Sequence, residues 1–194
     1  MNRQDMHENR ILGIDPGSIT CGYGLIKSLN NYSATNKRKT KMNASNLYLD
    51  KPDFMYITSG SITLSPRNPL SIRLRILYKN LLDIINTYKP HEIVVERVFF
   101  AKNIRATLNL GHARGIALLA AASEGLDIYE YSALEVKKAV TGYGRAEKRQ
   151  VIEMVKRIFN LNSKTITLTA DSADALALTL CHLNTKGFKK KIKI

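Results

Sequence analysis

Apolar positions organise the chain into short runs and helical stripes. Ile11, Leu12 and Ile14 lead into the turn Asp15-Pro16-Gly17, and Cys21, Tyr23, Leu25 and Ile26 resume the pattern. The chain is therefore predicted to open with a hairpin of strands 10–15 and 21–28, the first delivering Asp15 at its end. A third strand is expected within 55–64. Pro66 and Pro69 break the pattern, and Leu70, Leu74, Leu77, Leu81, Ile84 and Ile85 then recur at helical spacing to about Tyr88. EIVVERV at 92–98 reads as a strand covered on both faces. A long helix follows over about 103–123, with Gly111 and Gly115 four apart among alanines; small residues at that spacing let another element approach, and packing on the sheet is favoured over a subunit contact. Strand 127–131 runs into Ser132-Ala-Leu-Glu135, a capping box that starts a short helix. GYG at 142–144 ends it, and helices over about 146–159 and 172–183 complete the chain. Three antiparallel strands, then helices alternating with two more strands, predict an α/β protein with a five-stranded mixed sheet flanked by helices. No internal repeat interrupts it, and 194 residues suit one domain over 1–194.

Charge changes this picture of an ordinary globule. The formal net charge is +14, from 30 Lys and Arg against 16 Asp and Glu. Part of it lies in an Asn/Lys-rich loop insertion at 30–50, with four bases among residues 37–41, and part in a basic tail at 186–194. Setting those nine cations aside still leaves +5 on the body, the footprint of a polyanion partner. The longest apolar run, 115–122, is too short to span a bilayer, so no membrane role is expected. Cys21 and Cys181 lack CxxC spacing and read as core thiols of a cytoplasmic protein.

Four acids stand in apolar company: Asp15 in ILGIDPG, Glu96 in EIVVERVFF, and Asp171 with Asp174 in TADSADALAL. Taken singly each has a plain structural reading. Asp15 suits a turn, Glu96 could pair with Arg97, and Asp171 could cap its helix. Asp174 is harder to dismiss, because its helical neighbours are Ala170, Ala177 and Leu178. A carboxylate away from water protonates, pairs or binds metal. Two strand-end acids and a helical acid pair can surround one cavity, and carboxylate oxygens suit Mg²⁺, with Mn²⁺ as a substitute. Acids for metal within a basic protein point to two-metal phosphodiester hydrolysis, with two ions per chain. Lys148, in the first turn of its helix, could join Lys137, Lys138, Arg145 and Arg149 in a phosphate track, although a solvated basic face is the default. Phe99 and Phe100 follow the Glu96 strand, and an exposed Phe there could wedge into a base step.

The segments ILGIDPGSITCGYGLI, IVVERVFFAKN, LGHARGIALLAA, VKKAVTGYGRAEKRQV and ADSADALALT, in this order, resemble the RuvC-type Holliday junction resolvases, or crossover junction endodeoxyribonucleases. The resemblance covers most of the chain outside 30–54 and the tail. It implies an RNase H-like fold, a homodimer, and paired Mg²⁺-dependent nicks in opposing strands of four-way junction DNA, in recombination and repair. It matches Asp15, Glu96, Asp171 and Asp174 to the family's metal-binding acids, Lys137 and Lys148 to basic residues near the scissile phosphate, and Phe99 to an aromatic that contacts junction bases. It also implies work alongside the RuvA and RuvB branch-migration proteins. An actin-like ATPase or sugar kinase would need a second glycine-rich phosphate motif and about twice the length. A noncatalytic relative would lack one of the acids.

Overall fold

A computed structural model describes residues 9–29, 54–97, 104–161 and 167–186. The element order is β1 (Asn9–Asp15), β2 (Thr20–Ser28), β3 (Phe54–Thr63), α1 (Leu70–Tyr88), β4 (Glu92–Glu96), α2 (Ile104–Ser123), β5 (Asp127–Tyr131), α3 (Ala133–Thr141), α4 (Lys148–Ile158) and α5 (Ala170–Thr185). The strands form one sheet in the order β3-β2-β1-β4-β5. β2 pairs antiparallel with both β1 and β3, while β4 runs parallel to β1 and to β5. The expected five-stranded mixed sheet is therefore what forms.

Each face of the sheet has its own core. On one side Leu12, Ile14, Leu25, Ile93 and Val95 meet Leu77, Leu81 and Ile85 of α1 and Ala113, Ala117, Ala120 and Ala121 of α2. On the other, Ile11, Ile26 and Val94 meet α3, α4 and α5, with Leu176 and Leu178 fully or nearly fully buried. Burying side chains of this size contributes roughly 2 kcal/mol each. Residues 92–95 of β4 are buried throughout, as a strand covered on both faces requires.

α5 lies unusually close to the sheet because glycines leave room for its backbone. A Cβ at Gly13 would come within 2.1 Å of the Ala175 carbonyl oxygen, and one at Gly22 within 2.1 Å of the Asp171 carbonyl oxygen. Real Cβ atoms never approach so closely, so a side chain at either position would push the helix away. The far end of α5 is fixed by polar contacts. His182, fully buried, places Nε2 2.8 Å from Glu92 Oε2 and Nδ1 2.9 Å from the Tyr131 hydroxyl, which joins α5 to β4 and β5. Burial pushes the Glu92 carboxyl up, but hydrogen bonds from His182 and Lys186 outweigh it and hold the group at about 2.

Several expectations are corrected in detail. β4 ends at Glu96, so Arg97 lies beyond it. α4 begins at Lys148, with Glu147 as its cap. α5 begins two residues earlier than its pattern suggests, because Thr169 caps it: the Thr169 side chain accepts from the Ser172 N–H at 3.1 Å. Asp171 is thus a first-turn residue and not the cap. Gly111 and Gly115 do not pack on the sheet; a Cβ at either would meet nothing within 4 Å, and the alanines of α2 make the sheet contact instead. Lys186, placed at the start of the basic tail, is the C-cap of α5 and pairs with Glu92. The loop at 30–50, Phe99, Phe100 and residues 187–194 lie outside the described residues.

Candidate active site

Asp15 and Glu96 reach the same place because their strands are parallel neighbours. Ile14 is in register with Val95, so the last residues of β1 and β4 emerge side by side at the carboxyl end of the sheet. Asp174 arrives from the second turn of α5, held against β1 and β2 by the glycine contacts. Together with Lys137 of α3 and Lys148 of α4 these acids line a cavity of about 170 Å³ whose apolar wall is Ala133, Val136, Val151 and Leu178. α3 is aimed by its capping box: Ser132 Oγ accepts from the Glu135 N–H, while the Glu135 carboxylate accepts from the Ser132 N–H at 2.8 Å. Ala133, Val136 and Lys137 then share one helical face.

The site is short of positive charge. Burial, then the neighbouring Glu96, Asp174 and Asp171 carboxylates, push the Asp15 carboxyl from 3.8 up to about 7, against the opposing pull of Lys148. Glu96 is raised too, by burial and then by Asp174, with Lys148, a hydrogen bond to Asp15, and Lys137 acting the other way. Lys148 Nζ lies 2.8 Å from Asp174 Oδ2, and that hydrogen bond, ahead of any charge effect, holds the ammonium above its usual range. Lys148 is the first residue of α4, where the helix dipole disfavours a cation; the acids opposite supply the compensation.

Among the described residues lining the cavity, the acids Asp15, Glu96 and Asp174 supply carboxylate oxygens and neither His nor Cys is present, a set that suits hard divalent cations. No three such groups among the described residues stand closed at ligand distances, and Lys148 engages one Asp174 oxygen. The crowding of acids that raises Asp15 and Glu96 is what a bound divalent ion would relieve. On this test the residues fit a metal of the Mg²⁺ class, with Asp15, Glu96 and Asp174 as the groups facing it.

The other predicted residues fall around this centre. Asp171 contributes its charge to Asp15 but does not line the cavity. Lys138, Arg145 and Arg149 are exposed on α3, the following loop and α4, outside the cavity wall. Phe99 lies outside the described residues. Sequence reasoning passed over Glu92, His182 and Tyr131, which fix the helix that carries Asp171 and Asp174. A second acid four residues before Glu96 in the same apolar strand, and a His ending the apolar run of α5, were the available signals.

Comparison with known proteins agrees with this geometry. The family model for crossover junction endodeoxyribonuclease RuvC matches residues 50–182. The RuvC of Magnetococcus marinus is 40% identical over 182 residues, covering 94% of this chain and 88% of the relative. That of Desulforamulus reducens is 44% identical over 172 residues, 89% and 91% of the two chains. Among solved structures, Thermus thermophilus RuvC superposes with a TM-score of 0.73 at 26% identity, over 94% of this chain and 99% of that one. The same protein in complex with a Holliday junction substrate gives 0.74 at the same identity, over 94% and 98%. The fold is RNase H-like, and the chain, by its family match and by relatives of this identity and coverage, belongs to the RuvC family of crossover junction endodeoxyribonucleases.

Proposed function

We propose that this chain is a structure-selective endonuclease that resolves Holliday junctions by paired, symmetric hydrolytic nicks in recombination and repair. The observation that carries the reading is the convergence of Asp15, Glu96 and Asp174 with Lys137 and Lys148 in one cavity of a chain with a net charge of +14. Dependence on a divalent metal comes with the family. Asp15, Glu96, Asp171 and Asp174 are assigned to hold it, as two Mg²⁺ per chain with Mn²⁺ as a substitute. Held there, such ions would supply Lewis-acid polarisation of the phosphate and a lower pKa for the attacking water. The chain's own residues do the rest. The acids fix where hydrolysis occurs, the apolar wall limits water, and Lys148 and Lys137 hold the scissile phosphate as charge builds on it. Lys138, Arg145 and Arg149 extend the phosphate track beyond the cavity, and Phe99 is assigned to junction bases.

Two opposing strands must be cut, so two sites must face one junction, and a twofold substrate calls for a twofold enzyme. The outward face of α2 supports a homodimer. Ile104, Leu108 and Leu119 are exposed along it, and Gly111 and Gly115 share its unpacked surface. Small residues there would let two such helices approach closely. We assign RuvA and RuvB as working partners and the cytoplasm as the location, with 1–194 acting as one nuclease domain. The buried free thiols Cys21 and Cys181 agree with a reducing compartment, and among the described residues no helix is long and apolar enough to cross a membrane.

Incubating the pure protein with a mobile four-way junction and with linear duplex of the same sequence, in Mg²⁺ and in EDTA, tests the reading. Two nicked duplexes from the junction, in Mg²⁺ alone, are expected. Cleavage of linear duplex at an equal rate, or cleavage in EDTA, would contradict it.

A further inference from the structure

The loop from α3 to α4 displays an aromatic ring that the acid cluster does not use. Tyr143 is 60% exposed, and Leu134, in the first turn of α3, is 59% exposed. The Tyr143 backbone is nevertheless fixed at both polar groups. Its N–H donates to Thr141 Oγ1 at 3.2 Å, and its carbonyl accepts from the Ala146 N–H at 3.2 Å. Gly142, at φ 78°, turns the chain sharply out of α3. Gly144 then packs on Leu134 so closely that a Cβ there would lie 3.1 Å from Leu134 Cγ. A held backbone confines the exposed ring to the few rotamers of its own side chain, which lowers the entropic cost of ordering it on a ligand.

Position decides what the ring can meet. Ala133 and Lys137 line the acid cavity, and Leu134 with Lys138 forms the adjacent row of α3, four residues apart on one helical face. Arg145 stands two residues beyond Tyr143, and Lys148 opens the next helix. Apolar groups set among cations beside a phosphate-cleaving centre suit a polyanion that also offers apolar faces. Stacked duplex presents only backbone and groove edges. The branch point of an open four-way junction exposes the faces of its terminal base pairs, and aromatic side chains stack on exposed base faces without regard to sequence.

We infer that Tyr143, backed by Leu134, is a stacking platform for a nucleobase exposed at the branch point of the junction, and so a determinant of selectivity for branched over linear DNA. The inference rests on the junction-resolving reading above. Dissociation constants of the full-length protein for a four-way junction and for linear duplex, in EDTA at two salt concentrations, test it with Tyr143→Ala and Tyr143→Phe. Tyr143→Ala should weaken junction binding about tenfold, the loss of one stacked base. Duplex binding and the salt slope should stay as in the wild type, since no phosphate contact is lost. Tyr143→Phe should bind as the wild type does, and all three proteins should share one Tm. Unchanged junction binding by Tyr143→Ala, equal losses on junction and duplex, or Tyr143→Phe behaving like Tyr143→Ala would each overturn the platform while leaving the nuclease reading intact. A wild type that did not prefer the junction would remove both.

Discussion

Burial and three neighbouring carboxylates hold Asp15 at about 7, and this single residue makes the metal-free protein pH-sensitive in an unusual direction. Between about pH 4 and 7 the folded chain keeps a proton that the unfolded chain has released, so stability falls as pH rises through that window. A shift of this size corresponds to roughly 4 kcal/mol. Melts in EDTA should therefore show Asp15→Asn more stable than the wild type at pH 8 and nearly equal to it at pH 4. Parallel pH profiles for the two proteins would show that Asp15 is not under this strain. Lys148 makes a complementary prediction. Lys148→Ala should slow cleavage by about two orders of magnitude, the low end of the cost of removing one preorganised donor, while weakening junction binding much less. Equal losses would mark it as an ordinary backbone contact. The four acids were visible in the sequence because each interrupts an apolar run. Their separate standing was not: Asp174 lines the cavity and Asp171 does not, a difference that depends on how α5 packs across the sheet.

α5 is the element on which the site depends, since it carries two of the acids and is gripped at both ends. At its start Gly22→Ala would drive a Cβ into the Asp171 backbone. The helix must shift, and displacements near 1 Å at a reacting centre cost about 10²-fold in rate. A Gly22→Ala protein that stays folded by circular dichroism yet cuts at least tenfold more slowly is expected; wild-type cleavage would mean that the close approach is unimportant. At the other end Glu92→Gln should lower Tm at pH 7. The Glu92 carboxyl is held low in the fold, so its contribution is present above about pH 4.5 and disappears as pH falls toward 2. The gap between variant and wild type should accordingly close in acid, and a constant gap would contradict this. Strand and helix positions were legible from periodicity, and the capping box of α3 from four residues. The buried Glu92, His182 and Tyr131 network was not, because its members lie far apart in the chain and meet only where α5 crosses the sheet, His182 bridging Glu92 of β4 and Tyr131 of β5. The outward face of α2 was misread for a related reason: alanines and glycines alternate along that helix, and sequence alone does not say which set faces the sheet.

For the whole molecule, charge and symmetry decide behaviour. Junction binding should weaken steeply with salt, because Lys and Arg contacts to phosphate release counterions. If α2 joins two copies, Leu108→Glu should keep the secondary structure of the wild type by circular dichroism, lose the dependence of Tm on protein concentration, and convert the sedimenting dimer to a monomer that nicks without resolving. A dimer that survives this substitution would place the interface elsewhere. The acids of this cavity are needed to cut junctions and not to bind them. The most direct test follows junction binding and single-turnover cleavage in Mg²⁺ for the wild type and Asp174→Asn. Asp174→Asn should bind with wild-type affinity and lose cleavage by at least a hundredfold, an order set by the two-metal role of such ligands. Cleavage at the wild-type rate by that variant would contradict the assignment of this cavity as the catalytic centre.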